Sequence, residues 1–194
     1  EQQLRQPEAT YPLDLAFCPQ CALVQITETV PPEELFRDYR YFSSFSDTML
    51  AHAAQLAERM IAARKLGPDS LVMEPASNDG YLLKNYRARG VKVLGIEPAG
   101  NIAAIARENG IDTLNEFFTA ELAARLAGEG RHADVVHAHN VLAHVADLPG
   151  FVTSLRLTLV TGFGSTVLAL LLAVGFCAAV HGRFGERAGA RRRR

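Results

Sequence analysis

Cysteine is scarce in this sequence, three residues in 194, and neither sign of charge prevails, the formal net being −1. With so few cysteines and no N-terminal signal pattern, a reducing compartment is expected, and the chain is assigned to the cytoplasm. A balanced charge supplies no basic surface for a phosphate backbone, so no nucleic-acid partner is expected. An initiating methionine is also missing. Glu1 opens a polar stretch that reads as the middle of a linker, as in a fragment of a longer protein. Apolar residues are plentiful at 48%, enough at this length for one domain and a small appendage.

Glycine is sparse where one kind of ligand would need it. Residues 71–97 read LVMEPASNDGYLLKNYRARGVKVLGIE. Leu71, Val72 and Met73 form a short apolar run that ends on Glu74 and reads as a buried strand. A turn-prone loop follows, Pro75 to Gly80, then a helical pattern from Tyr81 that closes at Gly90. Val91, Val93, Leu94 and Ile96 make a second strand ending on Glu97. The unit is β-loop-α-β, with the loop at a helix N-terminus where free N–H groups favour an anion. The acid after the second strand can accept hydrogen bonds from two ribose hydroxyls. An adenosine-containing ligand is therefore expected at the carboxyl ends of parallel strands. A dinucleotide would want G-x-G-x-x-G around its pyrophosphate, and this loop has one glycine. S-adenosylmethionine (SAM) uses D/E-x-G-x-G-x-G, and Glu74, Ala76, Asn78 and Gly80 fall at those spacings.

Residues 11–26 are two short β-like runs joined by Cys18-Pro19-Gln20-Cys21. Two thiolates on one tight turn suit half of a tetrahedral zinc site, and a second C-x-x-C is absent. Redox use of the pair, or no role for it, are the alternatives. Residues 31–38 read as a short helix. Tyr39 to Ser46 mixes aromatics with hydroxyls, which suits a sugar or nucleotide as well as plain packing. Ser46 can cap a helix over 47–66, ended by Gly67-Pro68, with His52 near its apolar stripe in a structural role. Further elements are expected over 99–109 (helix), 111–114 (strand), 119–127 (helix), 133–140 (strand) and from Val141 (helix). His137 and His139 alternate and share a face, which allows chelation of a metal without a third ligand at fitting spacing. His139 and Asn140 end their strand at the ligand crevice.

YPLDLAFCPQCALVQ, YRYFSSFSDTML, EPASNDGYLL, GIEPAGNIA and HNVLAHVADL together resemble the SAM-dependent C-methyltransferases of deoxysugar biosynthesis. That family carries an N-terminal zinc-binding domain, a class I methyltransferase domain and a C-terminal domain. The resemblance runs over about residues 11–151 and implies an α/β fold, a Rossmann-like but incomplete sheet with a partial zinc-ribbon-like segment. It implies that Cys18 and Cys21 are two of four structural zinc ligands. It implies that Glu74, Ala76, Ser77, Asn78, Asp79 and Gly80 cradle the methionine end of SAM. Glu97 with Pro98 would hold the ribose, and Asn140 would lie beside the cofactor. Tyr39 or Tyr41 and His144 would border a sugar-nucleotide substrate and supply the catalytic groups. The reaction implied is deprotonation beside the keto group of an NDP-4-keto-deoxysugar, followed by attack of the enolate carbon on the SAM methyl. Two departures stand out: Pro75 lies inside the SAM motif, and the family's Tyr-His-Glu-His-like segment is absent, so this chain is expected to be inactive.

The regions expected are 1–30, a partial zinc-binding domain; 31–67, connecting helices on the substrate side; 68–151, the SAM-binding domain; and 152–194, an atypical tail. Residues 157–180 carry no charge and are followed by arginines, a transmembrane pattern. The tail's Ala, Gly, Arg and Leu also match a G+C-rich gene read out of frame. That reading is preferred, because an anchor placed midway through a sheet leaves open strand edges. A membrane is a partner only if that segment is genuine. Two other functions stay open: an NAD-type oxidoreductase, and a non-catalytic membrane-anchored binding protein.

Overall fold

The computed structural model describes residues 10–28, 30–145 and 147–159. β1 (Leu15–Phe17) and β2 (Val24–Ile26) pair antiparallel, with Leu15 opposite Ile26. The Cys18–Cys21 turn joins them and is closed by Cys18 N–H to the Leu23 carbonyl at 2.9 Å and Ala22 N–H to the Cys18 carbonyl at 2.8 Å. Cys18 is buried and Cys21 half-buried.

α1 (Pro32–Phe36) opens with proline and two glutamates, a good first turn. A 3-10 turn over Ser43–Phe45 leads into α2 (Asp47–Arg64). Ser46 caps α2, its Oγ accepting the Met49 N–H at 3.3 Å. The helix ends before Gly67-Pro68, because Lys65 takes the left-handed conformation at φ 53 and returns its N–H to the Ile61 carbonyl.

The sheet has four parallel strands in the order β5-β4-β3-β6: β3 (Leu71–Pro75), β4 (Lys92–Ile96), β5 (Thr113–Leu114) and β6 (Val135–Val136). Alternation assigns its faces. Val72, Val93 and Val135 join Ala53, Ala57, Leu82, Leu83 and Tyr86 on one side. Met73, Leu94 and Ile96 join Leu122, Leu126 and Ala133 on the other. Helices therefore cover both faces, the arrangement a parallel sheet needs. The class expected from sequence, α/β with a Rossmann-like sheet, is the one observed.

Two helix assignments need correction. The helix after the loop, α3 (Leu83–Arg87), is five residues long and starts after Tyr81. Asn85 Nδ2 also bonds the carbonyls of Tyr81 and Leu82, both at 3.1 Å. Residues 141–145 hold only a 3-10 turn, Leu142–His144. Pro149 forces a fresh start, so α6 (Leu148–Thr158) begins on Asp147, whose Oδ1 accepts the Gly150 N–H at 3.0 Å. Between these lie α4 (Gly100–Glu108) and α5 (Ala120–Gly128), the latter capped by Thr119.

α6 packs on α5 and buries Phe151, Ser154, Leu155 and Thr158, so it crosses the 151/152 boundary drawn from sequence. Ala133 bridges Leu159 in parallel, on the side of β6 away from β3. The remainder of the 157–180 segment lies outside the described residues. Among the described residues no helix is long and apolar enough to cross a membrane.

Candidate functional site

The chain steps outward from β3 to β4 to β5, then returns to place β6 on the other flank of β3. Strand order reverses between β3 and β6, which opens a crevice beyond their carboxyl ends. A cleft of about 970 Å³ occupies that place. Tyr39, Tyr41, Ala76, Asn78, Glu97, Pro98, Asn140 and His144 all line it, so the fold gathers segments far apart in sequence. Glu74, Ser77, Asp79 and Gly80 lie behind its wall, buried or nearly so. Cys18 and Cys21 are not among the lining residues.

The loop does not present the free amides that a helix N-terminus suggests. Pro75 has no N–H. The Ala76 N–H goes to the Ile96 carbonyl at 2.7 Å, and that of Ser77 to the same carbonyl at 3.4 Å. The Asn78 N–H goes to Glu97 Oε2 at 2.9 Å, the Asp79 N–H to Asn78 Oδ1 at 3.0 Å, and the Gly80 N–H to the Ser77 carbonyl at 3.1 Å. Every backbone N–H from 76 to 80 is thus spent inside the protein, so these loop amides do not form the anion site expected of them.

Asn78 does two jobs. It sits at φ 51, a left-handed conformation asparagine tolerates. Its side chain also holds the preceding aromatic segment: Oδ1 accepts the Ser43 N–H at 2.9 Å and Nδ2 donates to the Tyr41 carbonyl at 3.0 Å. Asp79 Oδ2 accepts the Ser44 N–H at 3.3 Å. Asn101 fixes Tyr39 through both backbone groups, at 3.3 and 2.7 Å. Phe36 then packs edge-on against Tyr39 and His144, with ring centroids 5.8 and 5.5 Å apart.

Glu97 is not a free carboxylate. Its two oxygens accept the N–H groups of Asn78 and Ala99, each at 2.9 Å. Burial raises its pKa, and those two bonds pull the other way. It still lines the cleft, so its remaining lone pairs are what a ribose could use.

Glu74, 1% exposed at the end of β3, meets His139, whose Nδ1 lies 3.2 Å from Glu74 Oε1. Burial pushes the Glu74 carboxyl up to about 7. The bond to Glu74 raises the pKa of His139, whose side chain keeps 41% exposure and lines the cleft. Glu74 Oε2, Ser77 Oγ and Asp79 Oδ1 are buried with no hydrogen-bond partner among the described residues. His137 stacks on His139 with centroids 5.3 Å apart, and its Nε2 meets the Tyr86 hydroxyl at 2.7 Å. Burial lowers His137 to about 4. Each imidazole therefore has one nitrogen engaged elsewhere. Among the described residues no three metal-ligating side chains come together, there or at the Cys18–Cys21 turn.

The lining holds no lysine or arginine among the described residues, but it does hold Glu33, Glu97, Glu121 and Asp147. Glu33 is paired with Arg37 and Glu74 with His139, so Glu97, Glu121 and Asp147, with Asp79 behind the wall, make the cleft electronegative. His52, expected near the α2 stripe, is exposed and lines the cleft. Phe117 and Phe118 also line it and had no signal in the sequence, since they belong to the connection before α5 rather than to any motif.

The profile of a family described as "Putative zinc binding domain" matches residues 1–36. The C-methyltransferase NovU of Streptomyces niveus is 32% identical over 141 residues, 73% of this chain and 34% of that protein. This chain is related to a C-methyltransferase. It spans about a third of the length of that curated relative. Among solved structures, SAM-bound CalS10, an amino pentose methyltransferase from Micromonospora echinaspora, aligns with TM-score 0.44 and 20% identity, over 64% of this chain and 55% of that one. Streptomyces venezuelae DesVI aligns with TM-score 0.47 and 16% identity, over 63% and 55%.

Proposed function

We propose that this chain carries the cofactor site of a SAM-dependent C-methyltransferase whose substrate is an NDP-4-keto-deoxysugar. One observation carries the choice of cofactor: the cleft lining holds carboxylates and no lysine or arginine among the described residues, while every backbone amide of the 76–80 loop is satisfied internally. A pyrophosphate finds no free amide in that loop and no lysine or arginine in the lining among the described residues, which speaks against an NAD-type oxidoreductase. SAM brings a sulfonium and an ammonium, which such a wall attracts. Asn78, Glu97 with Pro98, and Asn140 would face the cofactor, which supplies the methyl group. Tyr39, Tyr41 and His144 border the remaining space, where the sugar ring would sit with its diphosphate clear of the carboxylates. A base among them would take the proton next to the keto group. The similarity to a C-methyltransferase supports transfer to carbon.

Cys18 and Cys21 would supply two thiolates of a structural zinc site. One closed turn carries both, which suits that role, and two further ligands are needed.

Titration calorimetry of this chain with SAM and with NAD tests the reading. Binding of SAM without NAD is expected, and NAD binding in place of SAM overturns it. Incubation with labelled SAM and a keto-sugar nucleotide separately checks the expectation that the chain is inactive.

A further inference from the structure

The cofactor motif supplies Glu74 but does not account for its contact with His139. Glu74 is buried, bonded through Oε1 to His139 Nδ1 at 3.2 Å, and its Oε2 has no partner among the described residues. His139 reaches the cleft surface beside Asn140. A pair of this kind holds one proton between its members, whichever carries it. With that proton the pair is neutral, and without it the pair carries one negative charge just behind the cleft wall.

We propose that the Glu74–His139 pair is a proton-coupled counter-charge: it keeps its proton in the empty cleft and releases it when a sulfonium enters. The site thereby distinguishes the charged methyl donor from its neutral thioether product, which retains the same amino, carboxyl and adenosine groups. This rests on the reading of the cleft as a SAM site. Geometry supplies the coupling, since a carboxylate buried just behind the cleft wall, with an unpaired oxygen, is poorly screened from a cation in the cleft. The charged and titratable groups facing the pair fit the sign. Asp79 and Glu97 act on Glu74 and favour its protonated form. Tyr81 and Tyr86 both feel Glu74 and are themselves pushed up, so they stay neutral. His137 stacks on His139 and is held neutral by burial. Glu74 and His139 are both raised in the empty cleft, so a cation draws the proton off and its affinity rises with pH across that range.

The experiment is calorimetric titration of the whole chain with SAM and with S-adenosylhomocysteine, in two buffers of different ionisation enthalpy, over a series of pH values. SAM is expected to release up to about one proton, its affinity climbing by up to about tenfold per pH unit near neutrality. S-adenosylhomocysteine is expected to release less and to show a flatter profile. In His139→Gln the difference between the two profiles disappears, and Glu74→Gln does the same by an independent route. Equal proton release by both ligands, or a difference that survives both substitutions, overturns the counter-charge while leaving the SAM site intact. No binding of either ligand overturns both.

Discussion

Gly80 has φ +79, and a Cβ there would fall 2.6 Å from Ile111 Cγ1 in the core. Left-handed backbone strain and overpacking add for an alanine, so Gly80→Ala is expected to lower stability by about 2–4 kcal/mol in urea unfolding. A loss below about 1 kcal/mol would show that the loop is not seated against Ile111 as described. Glu74 gives a prediction with the opposite sign. Its carboxyl goes from 4.5 to about 7 on folding, so the folded chain keeps a proton that the unfolded chain has lost between those values. The stabilisation is complete below 4.5 and is lost as pH rises through about 7. Glu74→Gln removes this liability. Relative to the parent it should gain on the order of 2–3 kcal/mol between about pH 4 and pH 8. Unfolding midpoints measured at both ends of that range check this, and parallel profiles for the two proteins would refute it.

Asn78 joins two elements. Its side chain closes the loop after β3 and holds the 39–46 segment that precedes α2. Asn78→Ala leaves Ser43 N–H and the Tyr41 carbonyl without that partner, and is expected to cost about 2–4 kcal/mol. The specific readout is hydrogen exchange. The Ser43 amide should exchange much faster while amides of α2 beyond its first turn hold their protection. Unchanged exchange at Ser43 would mean the segment is fixed by its aromatic packing alone. Asn101, on α4, does for Tyr39 what Asn78 does for Tyr41 and Ser43. The aromatic wall of the cleft is therefore set by asparagines on other elements.

Across the whole molecule, the residues lining the cleft run from Pro32 to Phe151, and α6 completes the packing on α5. Deleting residues 160–194 is accordingly expected to leave SAM affinity within about twofold, read by the same titration. A deletion starting at 157 cuts into α6 and removes buried Thr158, so it is the poorer choice for testing the tail. Loss of binding on removing 160–194 would show that the tail contributes to the site. Flotation with lipid vesicles, compared with and without the same segment, tests the membrane reading of the tail independently.

The β-loop-α-β unit around Glu74–Gly80, the strands at 71–75 and 92–96, the Ser46 cap and the Cys18–Cys21 hairpin were legible in the sequence. Each rests on local rules: apolar alternation, capping chemistry and turn residues. The short α3 and the fresh start of α6 were less so, because periodicity registers neither the bonds of the Asn85 side chain to the turn before it nor the missing N–H and fixed φ of Pro149. The state of the loop amides, the anchoring of Glu97, the pairing of Glu74 with His139 and the entry of His52 and Phe117 into the cleft were decided only in three dimensions. A sequence fixes which donors, acceptors and charges exist along a chain. Which of them meet, and how dry the meeting place is, depends on strands and helices brought together from distant positions. Burial at such a meeting place is what lifts Glu74 towards neutrality.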